Sequence, residues 1–139
     1  MTGPRKERYV EDLSRIREEI NRLFESALVS AGVEAGGGAP PGLWLPAVDV
    51  VEEEDAFRVC VELPGVDGEG VGYRVEGNTL EIIGERRLPL EGGSTFRRME
   101  SRYGPFRRSI ELTSELDPDG VVTHYERGVL ELTIRKGPS

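Results

Sequence analysis

Chemistry-bearing residues are scarce in this chain of 139 residues, which holds one cysteine, Cys60, and one histidine, His124. A lone cysteine closes no internal disulfide and fills no multi-thiolate metal site; it fits a reducing compartment, and the cytoplasm is the expectation. Long apolar runs are missing too. No window nears the roughly 18 residues a membrane span needs, and the opening "MTGPRKERYVEDLSR" has charge with no apolar stretch behind it, so neither insertion nor secretion is expected. Basic charge is also short: 18 Lys and Arg against 26 Asp and Glu leave a formal net charge of -8. That sign opposes non-specific contact with nucleic acid or anionic membrane, so neither is an expected partner. The length admits one core with an appendage, not two ordinary domains.

What is present divides into an arm and a domain. From Tyr9 to Ala31, Val10, Leu13, Ile16, Ile20, Leu23, Phe24, Ala27 and Leu28 recur at spacings of three and four, the stripe of an amphipathic helix over about 9–31. Glu11 with Arg15 and Glu18 with Arg22 support the opposite face at i, i+4. The stripe has nothing in its own segment to bury against, so it is an association element. "GVEAGGGAPPG", residues 32–42, is Gly/Pro-rich and reads as a linker, closing an N-terminal arm of 1–42.

From Leu43 the period changes to two, as in "FRVCVEL", where Phe57, Val59, Val61 and Leu63 alternate with Arg58, Cys60 and Glu62. Short runs follow at Val71–Glu76, Thr79–Ile83, Phe96–Tyr103, Phe106–Leu112, Val121–Tyr125 and Val129–Arg135. Turn signals separate them at Pro64-Gly65, Gly77-Asn78, Gly92-Gly93, Pro118-Asp119-Gly120 and Arg127-Gly128. With no helical segment between them, the pattern predicts an all-β, immunoglobulin-like antiparallel β-sandwich over 43–136, followed by a short tail at 137–139.

Catalytic constellations are not found. His124 lies in a strand without the partners of a general base. Cys60 has no CxxC neighbour or basic helix terminus to lower its pKa. Gly68, Gly70 and Gly72 suggest a phosphate loop, yet a strand follows them where a helix dipole is needed. Glu52 to Asp55 form a solvated turn, and no Glu completes a calcium loop after Asp117-Pro118-Asp119-Gly120. Arg97, Arg98, Arg102, Arg107 and Arg108 interleave with aromatics, but the acidic chain around them favours ion pairing over nucleic acid. No enzyme activity, cofactor or metal is expected.

Five segments in order, "PAVDV" at 46–50, "VELPGV" at 61–66, "VEGNTLEIIGERR" at 75–87, "YGPFRRSIEL" at 103–112 and "GVLELTIRK" at 128–136, resemble the small heat-shock protein family and its α-crystallin domain. The resemblance covers Leu43 to Lys136. It implies an ATP-independent holdase chaperone, a dimer-based oligomer that binds partly unfolded client proteins and prevents their aggregation. A monomeric co-chaperone-type adaptor with the same sandwich is the alternative.

The resemblance also assigns residues. A client or partner groove is implied between the strand of Val71, Tyr73 and Val75 and that of Val121, Thr123 and Tyr125. Dimer or structural roles fall to Glu100, Gly104, Phe106 and Arg108, the last matching the arginine of the family's F-x-R step. The arm face of Leu13, Ile16, Ile20, Leu23 and Phe24 is the expected association and client surface. "LPLEGGST", residues 88–95, is similar to the loop that other members exchange between subunits. The sequence departs from the family pattern at Ser101, Thr113, Thr123 and Arg127. An I-x-I docking motif does not follow Lys136, so the expectation is a dimer or small assembly held by the arm, its own groove open, with a paralogous chain as a further route to larger hetero-oligomers.

Overall fold

The computed structural model describes residues 5–6, 18, 22 and 44–138. Eight strands follow in chain order: β1 Arg5–Lys6, β2 Val48–Glu52, β3 Ala56–Glu62, β4 Val71–Glu76, β5 Thr79–Arg86, β6 Gly104–Glu111, β7 Leu116–Glu126 and β8 Val129–Lys136. They form two four-stranded sheets, one ordered β1-β4-β5-β6 and the other β2-β3-β8-β7. The antiparallel sandwich expected from the alternation is the observed fold, with one parallel pairing, β1 on β4.

The alternation explains the core. Phe57, Val59 and Val61 of β3 stand opposite Ile134, Leu132 and Leu130 of β8, and all six are buried. From the other sheet, Val71, Tyr73 and Val75 of β4, Leu80 and Ile82 of β5 and Phe106 of β6 meet them in one cluster. Each such burial is worth roughly 1.5–3 kcal/mol against exposure, enough to lock the register of both sheets.

The two sheets are tied at their ends by hydrogen bonds. Asn78 Nδ2 donates to the Leu112 carbonyl at 2.9 Å, and the Leu112 and Leu116 amides donate to the Asn78 and Gly77 carbonyls. These bonds pin the 112–116 crossing onto the β4–β5 turn. The β7–β8 hairpin turns through Arg127 at φ 54° and Gly128 at φ 79°, two consecutive positive values that a type I′ turn requires.

Two expectations change, and a third falls mostly outside the described residues. Phe96–Tyr103 is irregular rather than a strand and pairs with neither sheet. Asp117-Pro118-Asp119-Gly120 does not separate strands: it forms an irregularity inside β7 between Leu116 and Val121, where Asp117 Oδ1 accepts from the Asp119 amide at 2.9 Å. Of the expected arm helix only Glu18 and Arg22 are described, both helical and exposed; its apolar stripe lies outside the described residues.

Candidate client and partner interfaces

The first candidate is the groove between β4, which lies between β1 and β5 in its sheet, and β7, the border strand of the other. Val71, Tyr73 and Val75 are buried and turned into the sandwich, so β4 contributes main chain more than side-chain pockets to the groove. On β7, Val121, Thr123 and Tyr125 are half-buried, with Val121 and Tyr125 packed against the core. The Tyr125 hydroxyl lies 2.6 Å from the carbonyl oxygens of both Leu63 and Val66, clamping the loop that leads into β4. Burial pushes its phenol pKa up, with the Asp67 carboxylate adding to the shift. The expectation of an open edge is corrected: Arg5 and Lys6 pair with Gly72 and Tyr73 along the outer side of β4.

At the far end of the sandwich lies a second candidate. Trp44 ends the segment after the Gly/Pro linker, and its Nε1 donates to the Gly104 carbonyl at 3.0 Å. Its ring meets Phe106 edge-on at 5.2 Å. The Arg86 guanidinium sits over both Trp44, at 5.5 Å, and Tyr103, at 5.0 Å. Beside this stack a cleft of about 480 Å³ opens between the end of β5 and the start of β6, lined by Arg86, Leu88, Met99, Arg102 and Tyr103. Leu88, Leu90 and Met99 of the adjoining loop are 50%, 42% and 57% exposed, and Val50 and Val51 on the border strand β2, which pairs only with β3, are 43% and 39% exposed. The sequence reading passed over Trp44 and Arg86; the chain's one tryptophan, placed at the junction of linker and domain, was the signal for them.

Among the four residues given dimer or structural roles, Gly104 and Phe106 join the Trp44 stack. Arg108 stands opposite Ile82 on the inward side of β6, half-buried. Glu100 is not brought to it: exposed on the loop, it pairs with Arg98 at 3.5 Å.

Across the outer face of the β2-β3-β8-β7 sheet, the register sets Asp49, Cys60, Glu131 and His124 in one row. The row does not close into a site. Cys60 Sγ is 3.8 Å from Glu131, and burial together with that carboxylate raises the thiol pKa, which keeps it protonated and weakly nucleophilic at neutral pH. His124 Nε2 turns instead to Glu126 at 3.0 Å. Among the described residues no three His, Cys, Asp or Glu side chains converge on a metal position, and no helix is long and apolar enough to cross a membrane.

A sandwich with an exposed apolar loop, a border strand open on one side and, among the described residues, no metal-binding cluster offers surfaces for interaction. Comparison with known proteins agrees: residues 49–139 match the Hsp20/alpha crystallin family. The chain belongs to this family. Heat shock protein 16 of Schizosaccharomyces pombe is 34% identical over 100 residues, covering 69% of this chain and 69% of that protein. A small heat shock protein of Rickettsia felis is 34% identical over 92 residues, 66% of this chain but only 56% of the relative, so the chain spans little more than half of that protein's length. Among solved structures, hspA from Xanthomonas axonopodis superposes with a TM-score of 0.61 at 36% identity, over 69% of this chain and 97% of that one. The family is one of small heat-shock chaperones, not known as enzymes.

Proposed function

We propose that this protein is an ATP-independent holdase of the cytoplasm, a dimer-based assembly that captures partly unfolded proteins on apolar surface and keeps them from aggregating. The observation that carries the dimer is the complementarity of two elements on one chain. Leu88, Leu90 and Met99 are apolar and exposed on the 87–103 loop, while β2 has one ladder side unpaired with Val50 and Val51 beside it. Exchanged across a two-fold axis, the loop of each subunit completes the β2 border of the other, removing apolar surface and an open strand edge together. Pro89 confines the pairing to residues beyond it. Clients are held by the arm face of Leu13, Ile16, Ile20, Leu23 and Phe24 and by the β4–β7 groove, which also suits a docking segment from a paralogous subunit.

A monomeric adaptor is the second reading, favoured by a core that closes within one chain: every buried side-chain polar atom among the described residues has a hydrogen-bond partner.

Light scattering from a heat-labile model client, without ATP and at rising molar ratios, tests the holdase. Suppression that saturates near stoichiometry supports it; no suppression at any ratio rejects it. Molar mass of the same preparation, native and carrying Leu88→Asp with Met99→Asp, tests the exchange. A native dimer or larger species that falls to monomer in the variant is expected, whereas a native monomer supports the adaptor.

A further inference from the structure

We propose that Met99 is an oxidation site, and that its conversion to the sulfoxide by a peroxide withdraws the 87–103 loop from exchange between subunits and leaves the protein in smaller units. The proposal deepens the exchange reading of that loop and rests on it.

Position and chemistry carry it together. The chain has two methionines, Met1 and Met99, and only the second lies in the sandwich domain. Met99 is 57% exposed, and it is the one sulfur-bearing side chain among the exposed large apolar residues described. Leu88 and Leu90 of the same loop, and Val50 and Val51 of β2, are hydrocarbon and inert to peroxide. The other sulfur of the domain, Cys60, is half-buried, and burial with the Glu131 charge raises its pKa, so the thiolate that reacts with peroxide is scarce at neutral pH. A thioether has no proton to lose and needs no such activation. The lone pair of Met99 Sδ attacks one peroxide oxygen and the O–O bond breaks; sulfur is oxidised by two electrons to the sulfoxide, and the second oxygen leaves as water. A methionine sulfoxide reductase using a dithiol reverses the step: the sulfoxide oxygen leaves as water and the dithiol becomes a disulfide.

Two differences then act on the loop in the same direction. Unoxidised, the side chain is apolar and suits contact with the exposed Val50 and Val51 of a second subunit. The sulfoxide is a strong dipole with an oxygen that accepts hydrogen bonds, and burying it in that contact strips it of water. Within its own subunit, Met99 lines the 480 Å³ cleft together with Arg86, Arg87 and Arg102. Each guanidinium has five N–H donors and no acceptor. Arg87 pairs with Glu85 at 3.4 Å, whereas Arg102 is exposed and forms no ion pair among the described residues. Oxidation therefore supplies an acceptor where donors line the subunit's own cleft, and removes an apolar group from the exchanged contact. That differential moves the equilibrium towards the unexchanged loop. Peroxide reaches the sulfur while the loop is released, so the reaction traps released subunits. Trapped subunits leave Leu88, Leu90 and the β2 border uncovered, which is apolar surface of the kind a holdase uses.

The test uses the full chain in dilute hydrogen peroxide. Peptide mass mapping locates the added oxygen, molar mass over a dilution series gives the subunit dissociation constant, and Trp44 emission reports the fold. Oxygen on Met99 is expected to raise that constant roughly 10-fold or more, with native Trp44 emission. Treatment with the two epimer-specific sulfoxide reductases and dithiothreitol should restore the original mass. Met99→Leu, which keeps Met1 and Cys60, should assemble as the native chain does and ignore peroxide, whereas Met99→Gln should assemble weakly with no oxidant present. Complete oxidation of Met99 with unchanged molar mass overturns the proposal and leaves the exchange reading standing. So does Met99→Leu that dissociates in peroxide as the native chain does, because the effect then belongs to another group, and so does oxygen found on Cys60 with Met99 intact. A native chain that is monomeric before any treatment overturns the exchange reading and this proposal together.

Discussion

Trp44 donates its indole hydrogen to the carbonyl of Gly104 at 3.0 Å, joining residues 60 positions apart in the chain. This bond closes the aromatic stack beside the loop proposed for exchange. Trp44→Phe keeps a ring against Phe106 but leaves the Gly104 carbonyl without its donor, at an expected cost of about 1–2 kcal/mol in thermal unfolding. Arg86→Ala, read by Trp44 emission, should shift the spectrum by removing the guanidinium from the indole face, with a smaller loss of stability of about 0.5–1 kcal/mol.

Gly84 stands opposite Phe106, and a Cβ there would lie 2.6 Å from Cζ of that ring and 2.7 Å from the Gly70 carbonyl oxygen. Backbone and a packed ring leave no cheap way to yield. Gly84→Ala should destabilise by about 1–3 kcal/mol, and Gly84→Ala with Phe106→Leu should cost less than the sum of the two single changes, as a double-mutant cycle by denaturant unfolding will show.

The β7–β8 turn carries an arginine where the left-handed region suits asparagine. With Arg127 at φ 54°, Arg127→Asn should raise stability by about 0.5–1 kcal/mol. Gly128→Ala should act in the other direction, since φ is 79° and its Cβ would come 3.0 Å from Pro64 Cα. Paired melting curves suffice to check both.

For Tyr125 the sign of the pH effect follows from a pKa raised above the ordinary 10.0 by burial and the nearby Asp67 charge. Below that ordinary value both folded and unfolded chains keep the phenol protonated and its contribution is complete. As pH rises through the folded value the unfolded state has already lost the proton, so the contribution disappears. Tyr125→Phe should cost about 1–3 kcal/mol near neutral pH by freeing the two carbonyls. Its melting temperature should then fall less steeply than that of the native chain above about pH 10; parallel slopes would disprove the assignment.

The sandwich was legible because its strands bury one face: Val59 facing Leu132 and Val61 facing Leu130 are visible as period-two patterns long before they are seen to touch. Phe96–Tyr103 has a similar pattern and is not a strand, since alternation reports a face that wants cover and not the ladder that would supply it. Arg5–Lys6 was illegible for the opposite reason, being charged and only two residues long. Trp44, Arg86 and Tyr103 come together from three separate segments, and no spacing within any one of them announces it. Tyr125 was read as groove wall, while its hydroxyl is spent on the loop before β4.

The placement of β8 has a consequence for biosynthesis. It lies in the interior of its sheet, between β3 and β7, yet follows both of them in the chain. The β4-β5-β6 meander can pair as soon as it is made, but β3, paired with β2 on one side, waits through more than half of the domain for its neighbour on the other. Until translation has passed Lys136, the nascent chain carries half a sandwich with its apolar side uncovered, and in that interval it has the same needs as the proteins proposed as its clients.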